Sequence, residues 1–167
     1  MWVEAPRLLV TDDDVNLRET VRDVLEPRGF QALLAGDGEE AIRIVQHETV
    51  HVVLLDMHMP KLTGLETIRQ VKQYRALLPC ILMSAQLDET LIEQARQAQA
   101  DSVLPKPLSL SQLVMEVYRA LHQAYNWHAL GASNSSQSDR PSPAVPRSSA
   151  SDLPARQTPR SPDAPPR

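Results

Sequence analysis

Residues 52–64 read VVLLDMHMPKLTG, and this stretch decides the class of fold. It opens with a run of large apolar residues, which is typical of a strand buried on both faces. Asp56 follows the run, and Pro60 and Gly64 then mark a sharp turn before apolar residues recur at helical spacing. A buried strand, a polar turn and a helix in this order predict one strand–helix unit of a parallel sheet.

The same unit recurs on both sides of this stretch. Short apolar runs predict five strands, at Arg7–Asp12, Gln31–Ala35, Val50–Leu55, Pro79–Met83 and Ser102–Leu104. A helical pattern follows each strand; Pro27 and Gly29 end the first helix, and Gly131 is the predicted end of the last. Strict alternation predicts a doubly wound α/β fold, a (βα)5 unit with helices on both faces of the sheet. Right-handed crossovers favour the strand order 2-1-3-4-5.

Composition divides the chain into two parts. Residues 1–131 carry 12 Lys and Arg against 18 Asp and Glu, whereas residues 132–167 carry five Arg and three Asp. Eight of the 14 prolines lie between positions 141 and 166. The second part is rich in Ser and Pro and has few large aliphatic residues, so it cannot bury enough apolar surface to fold. We therefore expect one domain over residues 1–131, with its core at about 7–125, and a disordered tail over 132–167.

Several classes of protein are disfavoured by the sequence. No apolar run approaches the roughly 20 residues that span a bilayer, and the first residues, MWVEAPR, lack the pattern of a secretory signal. The acidic balance of the folded part argues against direct nucleic-acid binding. Cys80 is a single cysteine, which we expect to be inert core, and it fits a reducing compartment. These features predict a cytoplasmic protein with no membrane insertion.

Polar residues stand at the ends of four predicted strands. Asp12 and Asp13 follow the first strand, Asp56 the third, Ser84 the fourth and Lys106 the fifth. The carboxyl ends of parallel strands meet at one edge of the sheet, where such folds carry their chemistry. Clustered carboxylates repel one another unless a cation compensates them, and Mg²⁺ prefers such oxygen ligands. The sequence therefore predicts a magnesium site at this edge.

Four segments carry a family resemblance: LLVTDDD at 8–14, VVLLDMHMPKLTG at 52–64, ILMSA at 81–85 and LPKP at 104–107. Together, at these intervals, they resemble the receiver domain of response regulators in two-component signalling, of the single-domain chemotaxis-regulator type. The resemblance covers residues 7 to about 125. It implies a flavodoxin-like fold and a phosphoprotein that takes part in a phosphorelay.

The resemblance also implies a role for each matching position. Asp13 and Asp56 would bind Mg²⁺ directly, together with the backbone carbonyl of His58, and Asp12 would act through a bound water. Asp56 would accept the phosphoryl group.

Two further residues would contact that group. Ser84 would hydrogen-bond the phosphoryl group, and Lys106 would pair first with Asp56 and then with the phosphoryl oxygens. The bond between Lys106 and Pro107 is usually cis in the family. Val103 stands where most members carry an aromatic residue, which puts the usual aromatic readout in doubt.

The resulting expectation is a response regulator that catalyses only its own phosphorylation and dephosphorylation and is not otherwise an enzyme. Its donor would be a histidine kinase or a phosphotransfer protein. We expect no DNA-binding or enzymatic output domain, so output would come from docking to a partner through the face between helices four and five. That face includes Gln94, Gln97 and Asp101, with Tyr118 as a further candidate.

Two alternatives stay open at the level of sequence. A haloacid-dehalogenase-like phosphatase would use Asp12 as nucleophile and Asp14 as acid/base. Against it, Asn16 stands where that motif wants Thr or Val, no acidic pair follows Lys106, and Asp56 has no role. Asp14 is better explained as the N-cap of the first helix. The second alternative is a receiver-like scaffold that is never phosphorylated.

Overall fold

The computed structural model describes residues 4–127, in which strands and helices alternate as predicted. The strands are β1 (Arg7–Thr11), β2 (Gln31–Ala35), β3 (Val52–Asp56), β4 (Cys80–Ser84) and β5 (Ser102–Pro105). The helices are α1 (Val15–Leu25), α2 (Gly38–His47), α3 (Gly64–Tyr74), α4 (Glu89–Gln97) and α5 (Leu110–Tyr125). A short 3-10 turn over Glu26–Arg28 follows α1, and Gly29 ends it with a left-handed φ of 89°.

The five strands form one parallel sheet in the order β2-β1-β3-β4-β5. The predicted fold class and strand order are confirmed. The register pairs Thr11 with Leu55, Asp56 with Met83 and Ser84 with Pro105. The last residues of four strands therefore lie side by side at one edge of the sheet.

The core consists of two layers, one on each face of the sheet. Alternate strand residues, such as Leu9 and Leu55, pack with α2, α3 and α4, whereas Leu8 and Leu54 pack with α1 and α5. Every residue of β3 is buried, because β3 is the middle strand and helices cover both of its faces. This position explains why its sequence is continuously apolar rather than alternating.

Each of the five described α-helices begins after a side chain that caps it. The capping residues are Asp14, Asp37, Thr63, Asp88 and Ser109, and each accepts a hydrogen bond from a backbone N–H of the first turn. Such caps satisfy donors that have no partner inside the helix. The prediction that Asp14 caps the first helix is confirmed.

The predicted end of the last helix is wrong. Helix α5 ends at Tyr125, and Asn126 adopts the left-handed conformation with φ 51° while its N–H donates to the carbonyl of His122. The next residue, Trp127, stacks on Tyr118 with 5.8 Å between ring centroids and also contacts Phe30. This packing stops the helix well before Gly131, which lies outside the described residues. The predicted tail at 132–167 lies outside them too.

None of the helices in residues 4–127 is long and apolar enough to cross a membrane.

Candidate functional site

The predicted site residues meet at the carboxyl edge of the sheet. Asp12 directly follows β1, Asp56 and Ser84 are the last residues of β3 and β4, and Lys106 directly follows β5. The backbone N–H of Lys106 donates to the carbonyl of Ser84 at 2.8 Å, and this bond continues the sheet register beyond β5. The peptide bond between Lys106 and Pro107 is cis, as the resemblance implies.

Lys106 joins two buried carboxylates. Its Nζ lies 2.7 Å from Oδ2 of Asp12 and 3.0 Å from Oδ1 of Asp56. The side chains of Asp12 and Asp56 are 1% and 7% exposed, so most of their oxygen surface is removed from water. Burial of an ionised carboxylate lowers the stability of the folded state unless a cation pairs with it. Asp12 and Asp56 therefore both depend on the single ammonium of Lys106.

The local electrostatics follow from this burial. Desolvation raises the pKa of Asp12, and the neighbouring charge of Asp56 adds to that rise, while hydrogen bonds from Lys106 and from the Asp14 N–H oppose it. For Lys106, burial alone would lower the pKa, but its hydrogen bonds to Asp12 and Asp56 and the negative charges of these two residues together outweigh burial, and the pKa is raised. Lys106 is therefore held as a cation at neutral pH.

Asp13 completes an acidic cluster with Asp12 and Asp56. One carboxylate oxygen from each of the three residues lies within 4.8 Å of the other two, and Asp13 is exposed to solvent. Three carboxylates face one ammonium, so the cluster carries an excess of negative charge that Lys106 does not balance. All three donors are hard oxygens, which suits Mg²⁺. The residues at this edge therefore fit a magnesium ion, with Asp13 on the open side.

Ser84 is at the predicted place, but its hydroxyl is bonded elsewhere. The Oγ donates to the carbonyl of Gln86 at 2.8 Å and accepts from the N–H of Gln86 at 3.2 Å. Ser84 is buried, and both of these bonds lie within the loop between β4 and α4. In this state the hydroxyl braces that loop.

Asp14 does not join the cluster. Its Oδ1 accepts hydrogen bonds from the N–H groups of Asn16 and Leu17 at 2.9 and 3.3 Å, as the cap of α1. This carboxylate therefore serves as the helix cap, as predicted, and is not one of the three that form the acidic cluster.

Arg18 is a contributor that the sequence analysis missed. Its Nη1 donates to the backbone carbonyl of Asp12 at 2.6 Å and so fixes the turn that presents Asp12 and Asp13. Glycine at position 36 leaves room beside the guanidinium, since a Cβ atom there would lie 3.3 Å from Nη1 at the flexible end of the Arg18 side chain. Helical spacing gives no signal for this contact, since Arg18 reaches backward across the start of its own helix.

The turn after Asp56 differs from the expectation. Gly64 is not the residue with unusual backbone angles; the left-handed residue of this loop is Lys61, with φ 70°. Gly64 is needed for space, because a Cβ atom there would lie 2.5 Å from the carbonyl oxygen of Asp56 and 2.6 Å from Leu82 Cδ1. The N–H of Gly64 donates to the Met57 carbonyl at 2.9 Å, which closes the loop. His58 is exposed within it.

The predicted output face is corrected in part. Gln94 and Gln97 are exposed on α4, as expected. Tyr118 is instead packed against Phe30 on the α1 side of α5, so its inclusion in that face is wrong. A tyrosine at an apolar position of a helix packs against nearby aromatic side chains. The sequence spacing alone does not indicate on which side of α5 those side chains lie.

Three further residues named in the sequence analysis have structural roles in the described part of the chain. Asp101 accepts a hydrogen bond from the Cys80 N–H at 2.7 Å, so its carboxylate holds the start of β4. Cys80 is fully buried, and burial raises the pKa of its thiol to about 12, as expected for an inert core residue. Val103 is half-buried and packs against the layer formed by α2, α3 and α4.

Comparison with known proteins identifies the family. The profile of the response regulator receiver domain matches residues 8–118, well over half of the chain. The chain belongs to the response regulator receiver family. Receiver domains are signalling domains rather than classical enzymes.

Curated relatives of this receiver domain are longer proteins. The response regulator MprA of Mycolicibacterium vanbaalenii is 37% identical over 115 residues, which are 69% of this chain and 49% of MprA. The transcriptional regulatory protein CpxR of Klebsiella pneumoniae is 32% identical over 121 residues, 72% of this chain and 51% of CpxR. The chain thus spans about half the length of the curated relatives it matches.

Solved structures show the same fold. A response regulator receiver protein from Pseudomonas putida is 28% identical with a TM-score of 0.67, covering 71% of this chain and 99% of that one. A beryllofluoride-activated DrrB receiver domain is 28% identical with a TM-score of 0.65, covering 71% and 98%. The chemotaxis protein CheY4 of Vibrio cholerae, at 24% identity, has a TM-score of 0.68 and covers 70% and 99%.

Proposed function

We propose that this receiver domain accepts a phosphoryl group on Asp56 from the phosphohistidine of a histidine kinase or a phosphotransfer protein, in a step that depends on Mg²⁺. The observation that carries the proposal is the Lys106 ammonium between the buried carboxylates of Asp12 and Asp56. It brings together residues at the carboxyl ends of β1, β3 and β5, which are far apart in the sequence. The family match supports the same reading.

The chemistry uses this chain's residues as follows. A carboxylate oxygen of Asp56 forms the new bond to phosphorus while the phosphorus–nitrogen bond of the donor breaks, and the electron pair stays on the donor imidazole. Lys106 neutralises charge on the transferred group from a fixed position. Ser84 can donate its one hydroxyl proton to a phosphoryl oxygen after releasing Gln86. The product is an aspartyl phosphate.

The acidic cluster would hold the metal. Asp13 and Asp56 would bind Mg²⁺ directly with the backbone carbonyl of His58, and Asp12 would contribute through a water. When bound, Mg²⁺ supplies positive charge next to the phosphoryl oxygens. The chain would catalyse only its own phosphorylation and dephosphorylation, in the cytoplasm, and would signal by altered docking of an output partner at the face between α4 and α5. Gln94 and Gln97, which we propose as part of that face, are exposed on α4.

The test of the acceptor is chemical mapping. The protein is incubated with acetyl phosphate and Mg²⁺, the adduct is reduced with borohydride, and the modified residue is found by mass spectrometry. We expect modification at Asp56 and none in Asp56→Asn. Label on Asp12 that survives Asp56→Asn would instead favour the phosphatase, and complete absence of label would favour the scaffold.

The test of the metal compares two neighbouring carboxylates. Asp13→Asn should abolish phosphorylation, because it removes the open-side ligand of the cluster. Asp14→Asn is the matched control: it removes the same charge one residue away, and Asn caps a helix as well as Asp does. Equal loss in both variants, or full labelling of the wild type in excess chelator, would contradict a magnesium site at Asp13.

A further inference from the structure

Lys61 joins the loop after Asp56 to the start of α2. Its Nζ lies 3.2 Å from Oδ2 of Asp37 and 3.5 Å from Oε2 of Glu39. Its backbone is left-handed with φ 70°, a conformation that costs energy for any residue with a Cβ atom. The described loop thus contains a strained backbone position whose side chain is tied to another element.

The partner on α2 is itself fixed. Asp37 uses Oδ1 to accept the N–H of Glu40 at 2.8 Å as the cap of α2, and Oδ2 remains for Lys61. The hydrogen bond from Glu40 and the nearby Lys61 ammonium hold the pKa of Asp37 below its usual value, so it stays ionised. The orientation of the Asp37 carboxylate is therefore fixed by its role as helix cap, and Lys61 pairs with a side chain that has little freedom to rotate.

The same loop is pressed against α2 by packing. A Cβ atom at Gly38 would clash with Oγ1 of Thr67 and would lie 3.0 Å from Cβ of Leu62. The absence of a side chain at Gly38 lets the start of α2 approach Leu62, the residue next to Lys61, and Thr67 of α3. Packing and the ion pair act on the same loop, three residues beyond His58.

We infer that Lys61 is a positioning residue: its ion pair with Asp37 and Glu39 holds the loop after Asp56 in the shape that presents the His58 carbonyl to the metal. This inference rests on the proposed function. It differs from a simple charge effect, because the Lys61 ammonium would by charge alone oppose the binding of a second cation at the acidic cluster. When Lys61 is replaced by an uncharged residue, a positioning role therefore predicts weaker Mg²⁺ binding, whereas a charge effect predicts tighter Mg²⁺ binding.

The experiment compares two substitutions. Lys61→Ala removes the ammonium and leaves a residue that is strained at φ 70°, whereas Lys61→Gly removes the ammonium and adopts that angle freely. Because an exposed ion pair contributes little, we expect Lys61→Ala to raise the Mg²⁺ dissociation constant about two- to fivefold. Lys61→Gly should lie between Lys61→Ala and the wild type. Mg²⁺ binding is measured by titration calorimetry with MgCl₂ at low ionic strength.

Controls separate the loop from the rest of the molecule. Arg96→Ala removes a comparably exposed ion pair with Glu93 on α4 and should not change the dissociation constant. Melting temperature is recorded for every variant, since positioning of the metal site predicts a change in Mg²⁺ affinity beyond any change in stability.

Each outcome is decisive. Weaker binding in Lys61→Ala with partial or full recovery in Lys61→Gly supports the inference. Tighter binding in both variants shows that the ammonium acts by charge, and a lowered melting temperature with unchanged affinity shows a structural role only; either result overturns it. A wild-type protein that binds no Mg²⁺ overturns the proposed metal site, and the inference with it.

Discussion

The hydroxyl of Ser84 donates its one proton to the backbone carbonyl of Gln86, 2.8 Å away, and so it is not available to a phosphoryl group on Asp56. The two bonds exclude each other, because a serine hydroxyl has a single donor. Phosphorylation would therefore exchange the Gln86 bond for a charge-assisted one, which is the stronger type. The loop between β4 and α4 would lose its brace in the same event.

This exchange predicts how two variants of Ser84 behave. Ser84→Ala lacks the brace from the outset, so amide exchange at Gln86 and Leu87 should be fast in the free protein and should respond little to beryllofluoride. Ser84→Thr keeps the hydroxyl and is the matched control, with a wild-type response. Hydrogen–deuterium exchange with and without beryllofluoride measures both. Slow exchange in free Ser84→Ala would contradict the role of the hydroxyl as brace.

Lys106 should contribute strongly to the stability of the folded state. Lys106→Met leaves the carboxylates of Asp12 and Asp56 buried without their cation, and breaking such a pair costs about 3–5 kcal/mol. The pKa of Asp12, already raised by burial, should rise further. A carboxyl with a raised folded pKa binds more protons in the folded state, so the free energy of unfolding of this variant should increase as pH falls from neutral.

The measurement is urea unfolding of Lys106→Met between pH 7 and pH 5 without Mg²⁺. Adding Asp56→Asn should restore part of the loss, because it removes one of the two unpaired charges. Arg119→Met, which breaks an exposed pair with Glu116, is the control and should change stability little. Lys106→Met with wild-type stability at pH 7 would show that the two carboxylates are compensated by something else.

Gly64 is predicted to be required for its lack of a side chain. In Gly64→Ala the new Cβ atom meets the Asp56 carbonyl oxygen at 2.5 Å and Leu82 Cδ1 at 2.6 Å, so the loop has to move. Overpacking of this kind costs about 1–3 kcal/mol. Gly36→Ala is the control, because there the nearest atoms are the flexible ends of Arg18 and Glu40. Denaturant unfolding compares the two variants, and similar stabilities would refute a steric requirement at Gly64.

The fold could be read from the sequence because its signals are local. Each strand is a short apolar run, and each helix has its own cap and apolar face, so order and class follow without knowledge of distant contacts. The convergence of Asp12, Asp56 and Lys106 was predictable for the same reason, since parallel strands bring their carboxyl ends to one edge.

What the sequence could not predict depends on contacts between distant residues. Lys61 has a left-handed backbone and an ion pair with Asp37, 24 positions away in the sequence. The local conformational preference of lysine indicates neither feature. The early end of α5 depends on Trp127 packing against Phe30 and Tyr118. The bond of Ser84 to Gln86 is one of several orientations open to a hydroxyl, and the residue type alone does not indicate which one is adopted.

The last prediction concerns the opposite edge of the sheet, where His51 is half-buried. Its Nδ1 accepts the N–H of Arg7 at 2.9 Å, and its ring meets Tyr125 edge-on with 5.5 Å between centroids. Burial lowers the pKa of His51, and the positive charges of Arg7 and Arg75 lower it further, against a smaller opposing effect of Glu4. A protonated ring could not accept the bond from Arg7.

The sign of the effect on stability follows directly. Below the ordinary histidine pKa of 6.5, His51 is protonated in the unfolded chain but stays neutral in the folded protein. The unfolded state therefore binds more protons, and the folded state loses stability as pH falls. The loss continues until pH reaches the lowered pKa of the folded state. Above 6.5 both states hold a neutral ring, and this contribution to stability is fully present.

His51→Gln should therefore flatten the fall in the free energy of unfolding between pH 7.5 and pH 5.5, measured by urea unfolding at a series of pH values. Gln keeps an acceptor near Arg7 but has no proton to gain, so the variant changes the pH dependence more than the stability at pH 7.5. His47→Gln, at an exposed position near the end of α2, is the matched control. A pH dependence in His51→Gln as steep as in the wild type would show that other groups cause it.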